Sequence, residues 1–205
     1  MSTDIPFRLA ILLMFLAAMA IGSYHRLQAA KSGERFDRRQ EGLWLAITLR
    51  LAGLLLWATT ILYLIWPEAI AVAQIALPNW LRWSGGVFGV AGILLMYWTL
   101  TNLGKNLTDT VATRHDATLV TRGPYRWIRH PFYVTAALLM LAAALLSANL
   151  LIAVSGLMVI VLLVLRTPKE EQKLVDKFGD DYRRYIVSTG RFLPKFGKGQ
   201  DSGAN

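Results

Sequence analysis

The amino-acid sequence predicts an all-α integral membrane protein: about five transmembrane helices, an outside N-terminus, a cytoplasmic C-terminus, and a short cytoplasmic helix near the end. Three observations carry this expectation. Apolar side chains make up 55% of the 205 residues and the mean hydropathy is positive, a balance too apolar for a soluble domain of this length. Five apolar runs each approach the roughly 20 residues that a helix needs to cross about 30 Å of hydrocarbon. Nineteen of the 22 basic residues fall after spans one, three and five, whereas the connections at 67–79 and 147–149 carry none. By the positive-inside rule, the basic side is cytoplasmic.

The spans are expected near 6–24, 43–66, 80–100, 131–146 and 148–165. The first lacks the basic leader of a cleaved signal peptide apart from Arg8, and the charge alternation across all five requires that it be retained. Residues 1–79 read as a two-span scaffold. Arg50, two turns inside the second span, is expected to snorkel toward the headgroups. The third span carries Gly85, Gly86, Gly89 and Gly92. No strand precedes them, so they are not a phosphate loop, and glycines at this spacing let neighbouring helices approach closely.

Residues 80–194 form the expected functional core. The polar stretch 101–120 is too long for an idle connector. It contains His115 and Asp116, but no second set of ligands stands at metal spacing, so no metal site is expected. After the fifth span, Thr167-Pro168-Lys169-Glu170 has the pattern of a helix start: Thr as N-cap, Pro at the first position and Glu three residues after the cap. Leu174, Phe178, Tyr182 and Tyr185 then recur on one face, with Gly179 as a break or bend. Residues 195–205 read as a disordered tail.

The charge of +9 is a topology signal rather than a nucleic-acid footprint, because it is spread among loops instead of gathered on a soluble module. The absence of Cys excludes thiol catalysis, thiolate metal sites and iron–sulfur chemistry. No alternation of strands and helices offers a dinucleotide fold.

Chemistry concentrates in residues 121–133, where Arg122, Arg126, Arg129, His130 and two prolines run directly into the fourth span. The short turn at 147–149 makes the last two spans antiparallel neighbours. Their cytoplasmic ends must therefore meet, bringing Arg129, His130 and Tyr133 within reach of Arg166, Glu170 and Glu171. Pro131 opens the fourth span and points its positive dipole end at the same place. Such a site suits a zwitterion with a carboxylate, an ammonium and a heterocycle, S-adenosylmethionine being one. Tyr125, Trp127 or Tyr133 are candidates to face its adenine or sulfonium.

The run 118–125, then Arg129-His130-Pro131-Phe132-Tyr133, resembles the signature of the isoprenylcysteine carboxyl methyltransferase family, whose wider group includes phospholipid methyltransferases. Glu170-Glu171, Leu174, Phe178-Gly179, Tyr182, Tyr185 and Arg191-Phe192-Leu193-Pro194 follow in the same order. The resemblance implies a membrane methyltransferase that binds S-adenosylmethionine at the cytoplasmic ends of its last helices. It implies Arg129 and His130 as the residues nearest the chemistry, and Gly123, Tyr125, His130, Tyr133, Glu170 and Glu171 around the cofactor. The acceptor would be lipophilic or lipid-anchored and would arrive through membrane lipids, with no nucleic acid involved. Where the family usually has Gly, two residues after the motif tyrosine, this chain has Thr135, which would narrow the pocket or its lipid-side entrance. Two other functions are compatible with parts of the pattern: a membrane NADPH-dependent reductase with a related arginine-histidine-proline motif, and a non-enzymatic carrier or adaptor. The identity of the acceptor and the oligomeric state are not legible in the sequence.

Overall fold

A computed structural model describes residues 4–30, 43–104 and 118–195. His115, Asp116 and the tail beyond Lys195 lie outside these, as does most of the connection between the first two spans. Helix α1 covers Ile5–Ala30, α2 Leu43–Ile65, α3 Asn79–Leu103, α4 Pro131–Ser147, α5 Leu150–Phe178 and α6 Asp180–Ser188, with 3₁₀ turns at Pro67–Ala73 and Gly123–Arg126. Helices α1, α2, α3 and α5 are long and apolar enough to cross a membrane; α4, at 17 residues, is shorter. Large apolar side chains such as Leu13, Leu54, Val90 and Leu157 are exposed, the arrangement expected when lipid rather than water surrounds the bundle.

The glycines of α3 bear out the packing expectation. A Cβ at Gly85 would stand 2.8 Å from the Ala142 carbonyl oxygen, and one at Gly92 would stand 2.8 Å from Leu139 Cδ2. Close approach of α3 to α4 thus depends on two missing side chains. The turn after α4 is tight, as its sequence implies: Ala148 adopts the left-handed conformation, and the Asn149 carboxamide caps α5 by accepting from the Leu151 amide. Asn149 Nδ2 donates to the Ile70 carbonyl, and Gln74 Nε2 to that of Ser147, which ties the 67–74 segment over the turn.

The expected helix start at Thr167-Pro168 is not a start. Helix α5 runs without interruption to Phe178 with Pro168 inside it, and the Thr167 hydroxyl donates back to the Leu163 carbonyl rather than capping. An interior proline costs about 3 kcal/mol. Here that cost falls on the exposed side of the helix, and the side chains at 170 and 171 are anchored by other elements. The break comes at Gly179, with φ +56, where α6 begins. Arg50 is exposed, consistent with snorkelling.

One residue that sequence patterns did not single out organises the end of the bundle opposite the 121–133 segment. Arg82, buried at the start of α3, donates to the Leu146 carbonyl from Nε and Nη2 at 3.1 and 2.8 Å, to the Tyr63 hydroxyl at 3.2 Å, and to Asp4 at 2.6 Å. Its guanidinium also lies 3.7 Å from the Phe7 ring centroid. Around it, Phe7, Ile11, Tyr63, Leu146 and Ile152 form a compact apolar core. Four helices thus share one cation. Arg82→Ala is expected to lower stability by about 3 kcal/mol, because it leaves a buried carbonyl and a hydroxyl unsatisfied. The readout is the thermal midpoint in detergent, against an Arg50→Ala control that should be neutral.

Candidate functional site

The site forms where the entry to α4 meets the far end of α5. Tyr125 lies in the 3₁₀ turn Gly123–Arg126, which positive φ at Gly123 allows (+61°). A Cβ at Gly123 would lie 2.4 Å from Asn102 Cγ at the end of α3, so this position is closed to any side chain on two counts. His130 is extended at φ −121, as a residue before proline should be, and Pro131 opens α4.

A short segment after α6 then pairs with the entry. The Arg129 amide donates to the Gly190 carbonyl at 2.8 Å, the His130 amide to that of Arg191 at 3.1 Å, and the Gly190 amide to that of Trp127 at 3.2 Å. A Cβ on Gly190 would fall 1.7 Å from the Leu193 carbonyl oxygen, so the pairing requires glycine there. Arg191 and Phe192 are thereby carried to the site.

Glu171 is the centre. Its Oε1 accepts from Arg129 Nε at 2.9 Å and lies 3.1 Å from His130 Nε2; its Oε2 accepts from Arg191 Nη2 at 2.5 Å. Arg129 Nη1 donates to the Ile186 carbonyl at 3.2 Å and also to that of Thr189. Arg129, His130 and Glu171 are all buried. The apolar run of α5 ends at Leu165, and seven charged residues follow before Phe178, so Glu171 lies beyond the hydrocarbon-spanning part. Burial alone would push its carboxyl up, but hydrogen bonds from His130, Arg191 and Arg129 outweigh that and hold it at about 2. An ionised carboxylate can only accept, so His130 presents Nε2–H to it.

Glu170 is not a helix cap. The Tyr133 hydroxyl donates to its Oε2. The His130 and Tyr133 rings are stacked at 5.3 Å between centroids, with Phe192 at 5.8 Å from the first and 6.5 Å from the second. The Tyr185 hydroxyl donates to the Tyr125 carbonyl at 2.5 Å. Burial pushes the Tyr125 and Tyr185 phenols up, so both stay protonated donors. The structure therefore brings Arg129, His130, Tyr133, Glu170 and Glu171 together, with Gly123 and Tyr125 forming the adjoining turn. Trp127 packs instead edge-on against Trp98 at 5.6 Å and under the Arg126 guanidinium at 4.8 Å. With Arg122 and Arg126 exposed, these three belong to the surface. Arg191, Phe192 and the Thr189–Gly190 pairing were missed as site residues. Their signal was Arg191-Phe192 beside a glycine, which is weak without knowing what that glycine pairs with.

Below the site, a cavity of about 350 Å³ lies among α1, α2, α3 and α4, and Phe132 and Thr135 are its lining residues nearest His130. Thr135 is buried, and its hydroxyl donates to the Pro131 carbonyl at 3.0 Å, leaving its methyl to the apolar wall.

Residues 86–176 match the model of the Isoprenylcysteine carboxyl methyltransferase (ICMT) family, which bears out the resemblance drawn from the motifs. The solved structure of a eukaryotic intramembrane Ras methyltransferase, an isoprenylcysteine carboxyl methyltransferase, superposes with a TM-score of 0.54 at 20% identity. The match covers 90% of this chain and 67% of that one, a likeness of fold. No curated protein matches the chain in sequence.

Glu171→Gln is expected to destabilise the protein by about 3 kcal/mol, because it leaves the buried Arg129 without its counter-charge. Glu170→Gln, half-buried, should cost far less. Since the folded Glu171 carboxyl titrates at about 2 against an ordinary 4.5, its stabilisation is complete above pH 4.5 and disappears as the pH falls to 2. Thermal midpoints across that range should fall in the wild type and lose this component in Glu171→Gln. Gly123→Ala should cost about 1–3 kcal/mol through its backbone conformation alone, measured in the same way.

Proposed function

We propose, from the match of residues 86–176 to the isoprenylcysteine carboxyl methyltransferase family, that the chain is an S-adenosylmethionine-dependent methyltransferase acting on a lipophilic acceptor. The observation that carries this is the pairing of two carboxylates with a stacked ring set and a half-exposed guanidinium in one place. These groups fit the cofactor. Glu170 suits its ammonium or ribose hydroxyls, the free edge of Arg191 its carboxylate, and the His130–Tyr133–Phe192 rings its adenine or its cationic sulfur. Bound there, S-adenosylmethionine would supply a methyl group on a sulfonium, an excellent leaving group.

The residues of the chain would do the remainder. Arg129 spends its donors on Glu171 and two backbone carbonyls, so its contribution is to fix Glu171 and the 186–189 segment and to place positive charge beside the acceptor. Glu171 in turn sets the His130 tautomer. A carboxylate acceptor needs no base, and the Arg129 charge would offset its desolvation. An amine or thiol acceptor must lose a proton, and His130 or a glutamate would be the candidate base. Burial of Arg129, His130 and Thr135 keeps bulk water from the reacting groups.

In this proposal α4 also crosses the membrane, as the fourth of five spans. Its 17 residues reach about 25 Å, and its ends are held by α3 and by the Asn149 turn. The N-terminus lies outside, and the site faces the cytoplasm among the basic connections.

Calorimetry on the purified protein tests the reading. S-adenosylmethionine and its demethylated product should bind, and NADPH should give no heat. Binding of NADPH alone would favour a reductase, and no heat with any of them a carrier. Tyr133→Phe and Glu170→Gln should each weaken cofactor binding about tenfold, the cost of one charge-assisted hydrogen bond, while leaving the thermal midpoint nearly unchanged.

A further inference from the structure

Helix α3 carries a lipid-facing stripe that ends on an aromatic pair bearing a cation. Trp80, Trp83, Val87, Val90, Leu94 and Trp98 recur at intervals of three and four, and all are exposed. One face of the helix is therefore apolar along its whole length and looks into lipid. The step from Trp80 to Trp98 measures about 27 Å along the helix, close to the roughly 30 Å of the hydrocarbon layer. Tryptophans at both ends of such a stripe mark the two headgroup levels. At the end beside the functional site, the Trp98 ring meets Trp127 edge-on at 5.6 Å, and the Arg126 guanidinium lies 4.8 Å from the Trp127 ring centroid. The stripe thus continues off the helix onto the turn before α4, and it ends on a cation at headgroup level.

That cation is uncompensated. Arg122 caps the Gly123–Arg126 turn and Arg126 closes it; both are exposed, and among the described residues neither pairs with a carboxylate. The equally exposed Arg183 and Arg184 are matched to Asp180 and Asp181. A guanidinium over an indole keeps its charge and its N–H donors, and their planar fork matches a phosphate. We infer that Trp98, Trp127, Arg126 and Arg122 form a docking site for the phosphate of an anionic phospholipid in the leaflet beside the functional site. A headgroup of net negative charge is favoured over a choline headgroup, whose ammonium would add a third positive charge to the patch. Docking there braces the functional site from outside, because the Trp127 carbonyl accepts from the Gly190 amide, part of the pairing that carries Arg191 and Phe192. The inference does not use the methyltransferase reading, and its test needs no cofactor.

The experiment is native mass spectrometry of the protein purified in detergent and mixed with equal amounts of dioleoylphosphatidylglycerol and dioleoylphosphatidylcholine. The wild type should retain phosphatidylglycerol in preference to phosphatidylcholine. Arg126→Ala should lower that retention about fivefold, and adding Arg122→Ala about fivefold again, the usual worth of one basic side chain at an anionic surface. Arg184→Ala removes the same charge from a guanidinium already paired to Asp181, and should leave retention unchanged. Phosphatidylglycerol should also raise the thermal midpoint of the wild type by mass action but not that of Arg126→Ala, whose midpoint without lipid should match the wild type because the side chain is exposed. Equal retention of the two lipids, undiminished retention in Arg126→Ala, or an equal loss in Arg184→Ala would overturn the inference.

Discussion

The Glu171 carboxylate is the constraint on which the functional end of this molecule depends. One charged group on α5 accepts from Arg129 and His130 at the entry to α4 and from Arg191 on the returning chain. A carboxylate so buried would be costly alone, and the same is true of Arg129. Together they satisfy each other, and neither can move without exposing the other. The same residues carry the backbone pairing of 129–130 with 190–191 that brings Phe192 to the His130 and Tyr133 rings. Ring stack, acidic pair and guanidinium rim are consequences of one clasp.

The opposite end of the bundle uses the same physics with the signs exchanged. There a single buried cation, Arg82, gathers a carbonyl, a hydroxyl and a carboxylate from α4, α2 and the N-terminal end of α1. Between the two clasps, α3 and α4 meet through glycines, and packing rather than polarity holds the middle. The span that contributes to both clasps is also the shortest. Polar anchors at each end explain how a 17-residue helix keeps its place in the bundle.

The cavity among α1 to α4 adjoins the site. Its upper end is built by the first turn of α4, the same turn that carries Tyr133 and follows His130, so the geometry of the cavity and that of the proposed cofactor site cannot be tuned separately. Thr135 lies at that junction, its hydroxyl facing the backbone and its methyl facing the cavity.

Much of this was legible in the sequence because it depends on short-range rules. The spans follow from apolar run length, the antiparallel pair from a three-residue turn, the extended His130 from the proline after it, and the α3 contact from glycine spacing. Thr167-Pro168 shows where such rules fail. Its local pattern is a helix start, yet the helix continues, since anchoring of residues 170 and 171 by distant side chains outweighs the local cost of a proline. Arg191, Gly190 and Arg82 were unreadable for the same reason: each acts through partners from 19 to 78 positions away in the chain. Composition and periodicity by themselves determined that the chain is helical, enters a membrane and concentrates charge at one end. Only the tertiary structure decided which carboxylate meets which guanidinium, because buried charges select their partners by three-dimensional geometry and mutual desolvation, neither of which any local stretch encodes.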